Sequence, residues 1–219
     1  MSKVGAGGAG ASERAMTTKG SLALALGLAV VLGAGLIGVG TVADRMSGRG
    51  ALAAGDAEAG LLPPPAIGQD GLFVEPWFRT STGDLAQDAA NAAAEGKLLT
   101  LIWERDGCPY CFQLHTQDLR RPELHAYVAD KFYVVRMNFF GEKAMRDFDG
   151  EAMTEREIAL RHRAPGTPTM EFRSGDGKEV LRVPGYLEPP MLKVVFEFAE
   201  TGAYKKMNIN AWLKEKGFL

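Results

Sequence analysis

Apolar positions along the chain fall into two regimes. Residues 20–43 (GSLALALGLAVVLGAGLIGVGTVA) run without a charged side chain between Lys19 and Asp44. As a helix rising 1.5 Å per residue, such a run is long enough to cross a bilayer. It predicts a transmembrane anchor, with a cleaved secretory signal as the alternative, because Lys3, Arg14 and Lys19 precede it and small residues such as Thr41 and Ala43 follow. Either reading exports the remainder of the chain. From about residue 71 the pattern changes to short apolar runs separated by amphipathic segments. Thr82–Glu95 reads as a helix ended by Gly96, and the continuous apolar run Leu98–Trp103 as a strand buried on both faces. Helices over Phe112–Leu119 and Pro122–Asp130 follow, then a second buried strand, Phe132–Met137. Thr154 with Glu157 three residues on is a capping-box pattern and predicts a helix to Arg163. Thr169–Arg173 and Glu179–Val183 flank a Ser174-Gly175-Asp176-Gly177 turn and predict an antiparallel hairpin, and Pro189–Tyr204 a last helix. Strands joined first through helices and then by a hairpin imply an α/β fold: a mixed sheet with helices on both faces.

Composition divides the chain the same way. Of the 27 glycines, 14 lie in the first 60 residues, a stretch too poor in large side chains to build an interdigitated core. The expected organisation is a short N-terminal segment (1–19), the anchor or signal (20–43), a flexible Gly/Ala/Pro linker (44–70) and one folded domain (71–219). With 25 Lys+Arg against 27 Asp+Glu, no basic surplus exists to neutralise phosphates, so no nucleic-acid partner is expected. No dimerisation segment is evident, and a monomer is expected.

The chemistry concentrates at Cys108-Pro109-Tyr110-Cys111, which holds both cysteines of the chain and falls where a buried strand turns into a helix. Residues three apart share one helical turn, so the two sulfurs can form a reversible disulfide. The first cysteine stands at the helix N-terminus, where unpaired N–H groups favour thiolate, and Pro109 suits the first helical position because it needs no amide donor there. Cys108 is therefore the expected nucleophile and Cys111 the resolving thiol. A competing zinc set would combine Cys108, Cys111, His115 and His125. Trp103, Tyr186, Tyr204 and Trp212 read as packing residues.

Together with Gly166-Thr167-Pro168-Thr169 before the hairpin and Gly185 after it, this motif makes residues 77–219 resemble the thioredoxin superfamily. More narrowly, Gly107-Cys108-Pro109-Tyr110-Cys111 with His115 resembles exported thioredoxin-like proteins of the SoxW type. The resemblance implies a thioredoxin fold with a four- to five-stranded sheet, a cis-Pro168 facing the cysteines, and substrate contacts from Pro109, Tyr110, Thr167 and Pro168. It implies a thiol-disulfide oxidoreductase that reduces disulfides of exported proteins, is supplied by a membrane dithiol donor, and needs no metal or organic cofactor. A disulfide-forming oxidase or isomerase, or a non-catalytic binding module, is the alternative. In one respect the sequence departs from thioredoxin: the family's buried aspartate, six residues before its first cysteine, aligns with Ile102. Glu104, Asp106 and His115 are the candidates to supply proton transfer or tuning instead. Residues 140–153 also exceed the thioredoxin minimum and are expected to shape a groove or extend a helix.

Overall fold

The structure, a computed structural model, describes residues 60–219. The expected anchor at 20–43 and most of the expected linker lie outside the described residues. Among the described residues no helix is long and apolar enough to cross a membrane.

The main sheet has four strands: β3 (Leu98–Glu104), β4 (Phe132–Asn138), β7 (Thr169–Arg173) and β8 (Glu179–Pro184), in the order β4-β3-β7-β8. β3 pairs parallel with β4 and antiparallel with β7, which pairs antiparallel with β8. This is the mixed sheet the sequence predicts. Alternation along β3 divides the core in two. Leu99, Leu101 and Trp103 join Tyr133, Val135 and Met137 beneath helix α1 (Leu85–Ala94) and helix α4 (Glu155–Arg161). On the other face Ile102 joins Val134, Met170 and Phe172 beneath helix α3 (Pro122–Lys131) and helix α5 (Pro189–Glu200).

Several elements end where local chemistry stops them. Helix α1 begins at Leu85 rather than Thr82, because the fully buried Asp88 carboxylate accepts hydrogen bonds from the Thr82 amide and the Ser81 and Thr82 hydroxyls, holding those residues outside the helix. In α4 the capping box is present: Glu157 N–H donates to Thr154 Oγ1 at 3.2 Å, and Thr154 N–H to Glu157 Oε2 at 2.8 Å. Helix α5 stops at Glu200, short of the expected Tyr204, because Gly202 takes the left-handed conformation at φ 70°. Helix α6 (Ile209–Glu215), capped by Asn208, follows unanticipated.

Two small hairpins were not legible either. Residues 144–154 form β5 (Ala144–Arg146) and β6 (Ala152–Thr154), so the long insertion extends no helix. The Phe148 ring of this hairpin stacks on His162, whose nitrogens lie 3.0 Å from Asp147 Oδ1 and Glu171 Oε2. Buried Glu171 also accepts from the Trp103 indole at 2.8 Å, tying the insertion to the sheet. Near the N-terminus β1 (Ala66–Ile67) pairs with β2 (Phe73–Val74). Leu62 N–H donates to the Arg120 carbonyl at 2.8 Å, so residues 62–70, assigned to the linker by composition, carry contacts with the domain.

Candidate active site

β3 ends at Glu104, a three-residue loop follows, and Cys108 caps helix α2 (Pro109–Gln113), with Pro109 at its first position. Cys108 and Cys111 are joined in a disulfide with Cα atoms 5.2 Å apart. The Cys111 amide points at Cys108 Sγ at 3.1 Å, so in the reduced protein this donor and the start of the helix favour negative charge on that sulfur. Cys108 is 5% exposed and Cys111 1%, which leaves the first cysteine as the sulfur an incoming partner reaches. It lines a shallow cleft of about 320 Å³ with Ile67, Phe73, Pro109 and Phe112.

The Thr167–Pro168 bond is cis. Pro168 is buried, while Thr167 and Gly166 share a groove of about 780 Å³ with Tyr110, Gln113, Gly185 and Tyr186. The structure thus places Tyr110 and Thr167 on one groove. Tyr186, read from sequence as packing, stacks on Tyr110 at 5.7 Å and forms part of the groove wall. Gly185 lies at φ 82°, a conformation that side-chain-bearing residues avoid, and its amide donates to the Pro168 carbonyl at 2.8 Å.

Glu104 lies two residues beyond Ile102 and so faces the same side of the sheet. Its carboxylate is fully buried and hydrogen-bonds His115 Nε2 through Oε1. His115, also fully buried, reaches Glu75 Oε1 through Nδ1 at 2.9 Å. Burial of the ring opposes its charge, but Glu104 and Glu75 outweigh that and raise His115 from 6.5 to about 9. With a carboxylate facing each nitrogen, the site favours the imidazolium form. The helix deforms here: α2 passes into a π-helical turn over Leu114–Asp118, which contains His115.

Of the three tuning candidates, then, Glu104 and His115 meet and Asp106 does not. Asp106 is exposed and packs against Gly71, where an added Cβ would come within 2.6 Å of its carboxylate. Glu75 was missed by the sequence reading, since a lone acid beside Pro76 carries no periodic signal. The alternative zinc set is not assembled: both His115 nitrogens face carboxylates, and His125 packs edge-on to Trp77 at 5.1 Å. Among the described residues no group of three or more His, Cys, Asp or Glu is arranged to hold a metal ion.

A family model described as a thioredoxin-like domain matches residues 85–200. Among solved structures, a thioredoxin-fold protein from Helicobacter pylori is 26% identical over 55% of this chain and 79% of its own, with a TM-score of 0.47. A thioredoxin from Thermus thermophilus is 25% identical over 59% of this chain and 93% of its own, with a TM-score of 0.45. The C-terminal domain of DsbD from Neisseria meningitidis is 16% identical over 52% and 90%, with a TM-score of 0.40. No curated protein matches. The family match spans more than half the sequence and contains both the Cys108–Cys111 disulfide and the cis-Pro168 turn, and the chain belongs to the thioredoxin-like domain family.

Proposed function

We propose that this protein is an exported thiol-disulfide oxidoreductase, held at the membrane through residues 20–43, that reduces disulfides of exported proteins. The observation that carries the reading is the Cys108–Cys111 disulfide at the mouth of α2, with Tyr110 and Thr167 lining one groove beside it. In the reduced protein, Cys108 thiolate attacks one sulfur of a substrate disulfide. A mixed disulfide forms and the other substrate sulfur leaves as a thiolate. Cys111 then loses its proton and attacks the Cys108 sulfur. The second substrate thiol is released and two electrons have passed to the substrate. Pro109, Tyr110, Thr167 and Pro168 hold the substrate chain, and Glu104, the buried carboxylate of β3, takes the Cys111 proton. A membrane dithiol donor restores the reduced pair. Electrons reside on sulfur throughout, so the cycle draws on no further cofactor.

The charge of the buried site supports reduction over oxidation. Glu75 and Glu104 with one imidazolium carry one net negative charge near α2, which disfavours a further negative charge on sulfur and so opposes the thiolate stabilisation that makes a strong oxidant. Trapping and a redox titration test the proposal. Cys111→Ser is expected to accumulate mixed disulfides and Cys108→Ser is not; the reverse pattern overturns the roles. A potential at or below roughly -220 mV fits a reductant, and one near roughly -120 mV replaces this reading with disulfide formation.

A further inference from the structure

We propose that Glu75 is a positioning residue for the dithiol: from an N-terminal strap outside the family-matched segment, it fixes His115 at the centre of a carboxylate–imidazolium–carboxylate unit and leaves one oxygen, Glu104 Oε2, open to exchange a proton with the cysteine pair. The inference rests on the thiol-disulfide reading above and adds a residue that the family match, which begins at residue 85, does not contain.

The hydrogen-bond inventory of the three groups carries it. Each nitrogen of His115 faces a carboxylate oxygen, Nδ1 toward Glu75 and Nε2 toward Glu104. A neutral imidazole has one N–H and would present a bare lone pair to one of the two carboxylates; only the doubly protonated ring donates to both. Glu75 is saturated, because its second oxygen accepts from the Trp77 indole at 3.1 Å. Glu104 is not: its Oε2 is buried and has no hydrogen-bond partner. Phe73 stacks on the ring at 4.7 Å and Phe78 lies tilted against it at 5.8 Å. Glu104 and Glu75 are the charged groups that act most strongly on His115.

The arithmetic of charge follows. Two carboxylates and one imidazolium sum to minus one in a water-excluded site, where uncompensated charge is costly. One added proton neutralises the unit, and Glu104 Oε2 is where it can go without breaking an existing bond. Glu104 sits at the end of β3, four residues before Cys108, and His115 lies four residues beyond Cys111 on the same helical run. In the resolving step Cys111 S–H breaks as Glu104 O–H forms, the Cys111–Cys108 bond forms as the mixed disulfide breaks, and the departing substrate sulfur is protonated by water. Without Glu75 the unit is neutral before any proton arrives, and its affinity for one falls.

The strap is built to hold this acid in place. Its hairpin closes with Gly68 N–H donating to the Leu72 carbonyl at 2.8 Å, Asp70 pairs with Arg136 at 2.8 Å, and Phe73 lies edge-on to Phe112 at 6.1 Å.

The test uses the full chain in detergent solution, compared with Glu75→Gln and Glu75→Asp. The imidazole carbon-bound protons of His115 are titrated by NMR, and the pH–rate profile for reduction of insulin disulfides is recorded. Removal of one opposite charge at this range is expected to lower the His115 midpoint by about 1–3 pH units and to shift the rate profile with it, and Glu75→Asp is expected to restore both. A Glu75→Gln midpoint and profile that coincide with those of the unmodified chain overturn the proposal. Should Glu75→Gln fail to fold, the unmodified chain still decides: two imidazole N–H signals for His115 are required at pH 7, and a single one refutes the unit. A chain inert toward insulin refutes the oxidoreductase reading instead, so the two failures are separable.

Discussion

Replacing His115 with Gln is expected to abolish a specific alkaline loss of stability. The imidazole is fully buried between Glu104 and Glu75 and is raised from 6.5 to about 9. At about 1.36 kcal/mol per pH unit, that displacement corresponds to about 3 kcal/mol of folding free energy. The folded value lies above the unfolded one, so the contribution is complete below pH 6.5 and disappears as pH rises through about 9. The assay is urea unfolding of the oxidised protein at intervals from about pH 6 to 9.5, with the slope against urea checked for constancy. In the oxidised form neither cysteine titrates, and lysines and tyrosines contribute equally to both proteins, so the difference between the two curves reports the unit of His115, Glu104 and Glu75. His115→Gln leaves two buried carboxylates without a cation. The variant is therefore expected to start less stable by a few kcal/mol and to lack the decline between pH 6.5 and 9 that the ring produces. Parallel curves for the two proteins across this range would refute the charged unit, and with it the assignment of His115 as an imidazolium.

Three further outcomes follow from packing and local geometry. Phe172 is fully buried, with ring centroids 5.7 Å from Phe132 and 5.2 Å from Phe196; Phe172→Ala is expected to cost about 3–5 kcal/mol, read as a lower urea midpoint at unchanged slope. Thr154→Ala removes one half of the capping box on α4 and is expected to cost about 1 kcal/mol, measured by thermal unfolding. Gly185→Ala forces a methyl-bearing residue into φ 82° although no atom lies within 4 Å of the new carbon. A cost of about 1–2 kcal/mol together with a raised KM for insulin is expected, and a purely steric account would leave both unchanged.

The elements legible in the sequence are those whose signal is local and repeated. β3 and β4 announce themselves as unbroken apolar runs because both faces are covered, one by α1 and α4 and the other by α3 and α5. The capping box of α4 and the turn before β8 are written in residue types that have few other uses. What escaped was short or tertiary. The strands β1, β2, β5 and β6 have two or three residues each, too few for alternation to rise above chance. The end of α5 depended on Gly202 adopting the left-handed conformation, and Gly202 alone does not distinguish a helix stop from a tolerated interior glycine. Tyr186 packs against the core as expected, but its stacking on Tyr110, seventy-six positions earlier in the numbering, is a pairing only the folded chain creates.

The same distinction explains the site. Cys108, Cys111 and the Thr167–Pro168 turn could be found because their chemistry needs particular residues at particular spacings. The replacement for the missing buried acid could only be narrowed to candidates. With Ile102 in the aligned position, strand alternation leaves the next same-face residue of β3 as the place for a buried carboxylate, and that residue is Glu104. Asp106 lies beyond the end of the strand and is exposed. A lone carboxylate is costly to bury without a cation, and His115, in the π-helical turn that continues α2, supplies it. A single histidine between two acids then leaves one negative charge in excess. Glu75 therefore does not serve simple charge neutrality; Glu104 and His115 would be neutral without it. Its presence at 2.9 Å from the ring makes sense if the site is meant to hold a net negative charge and so to attract a proton.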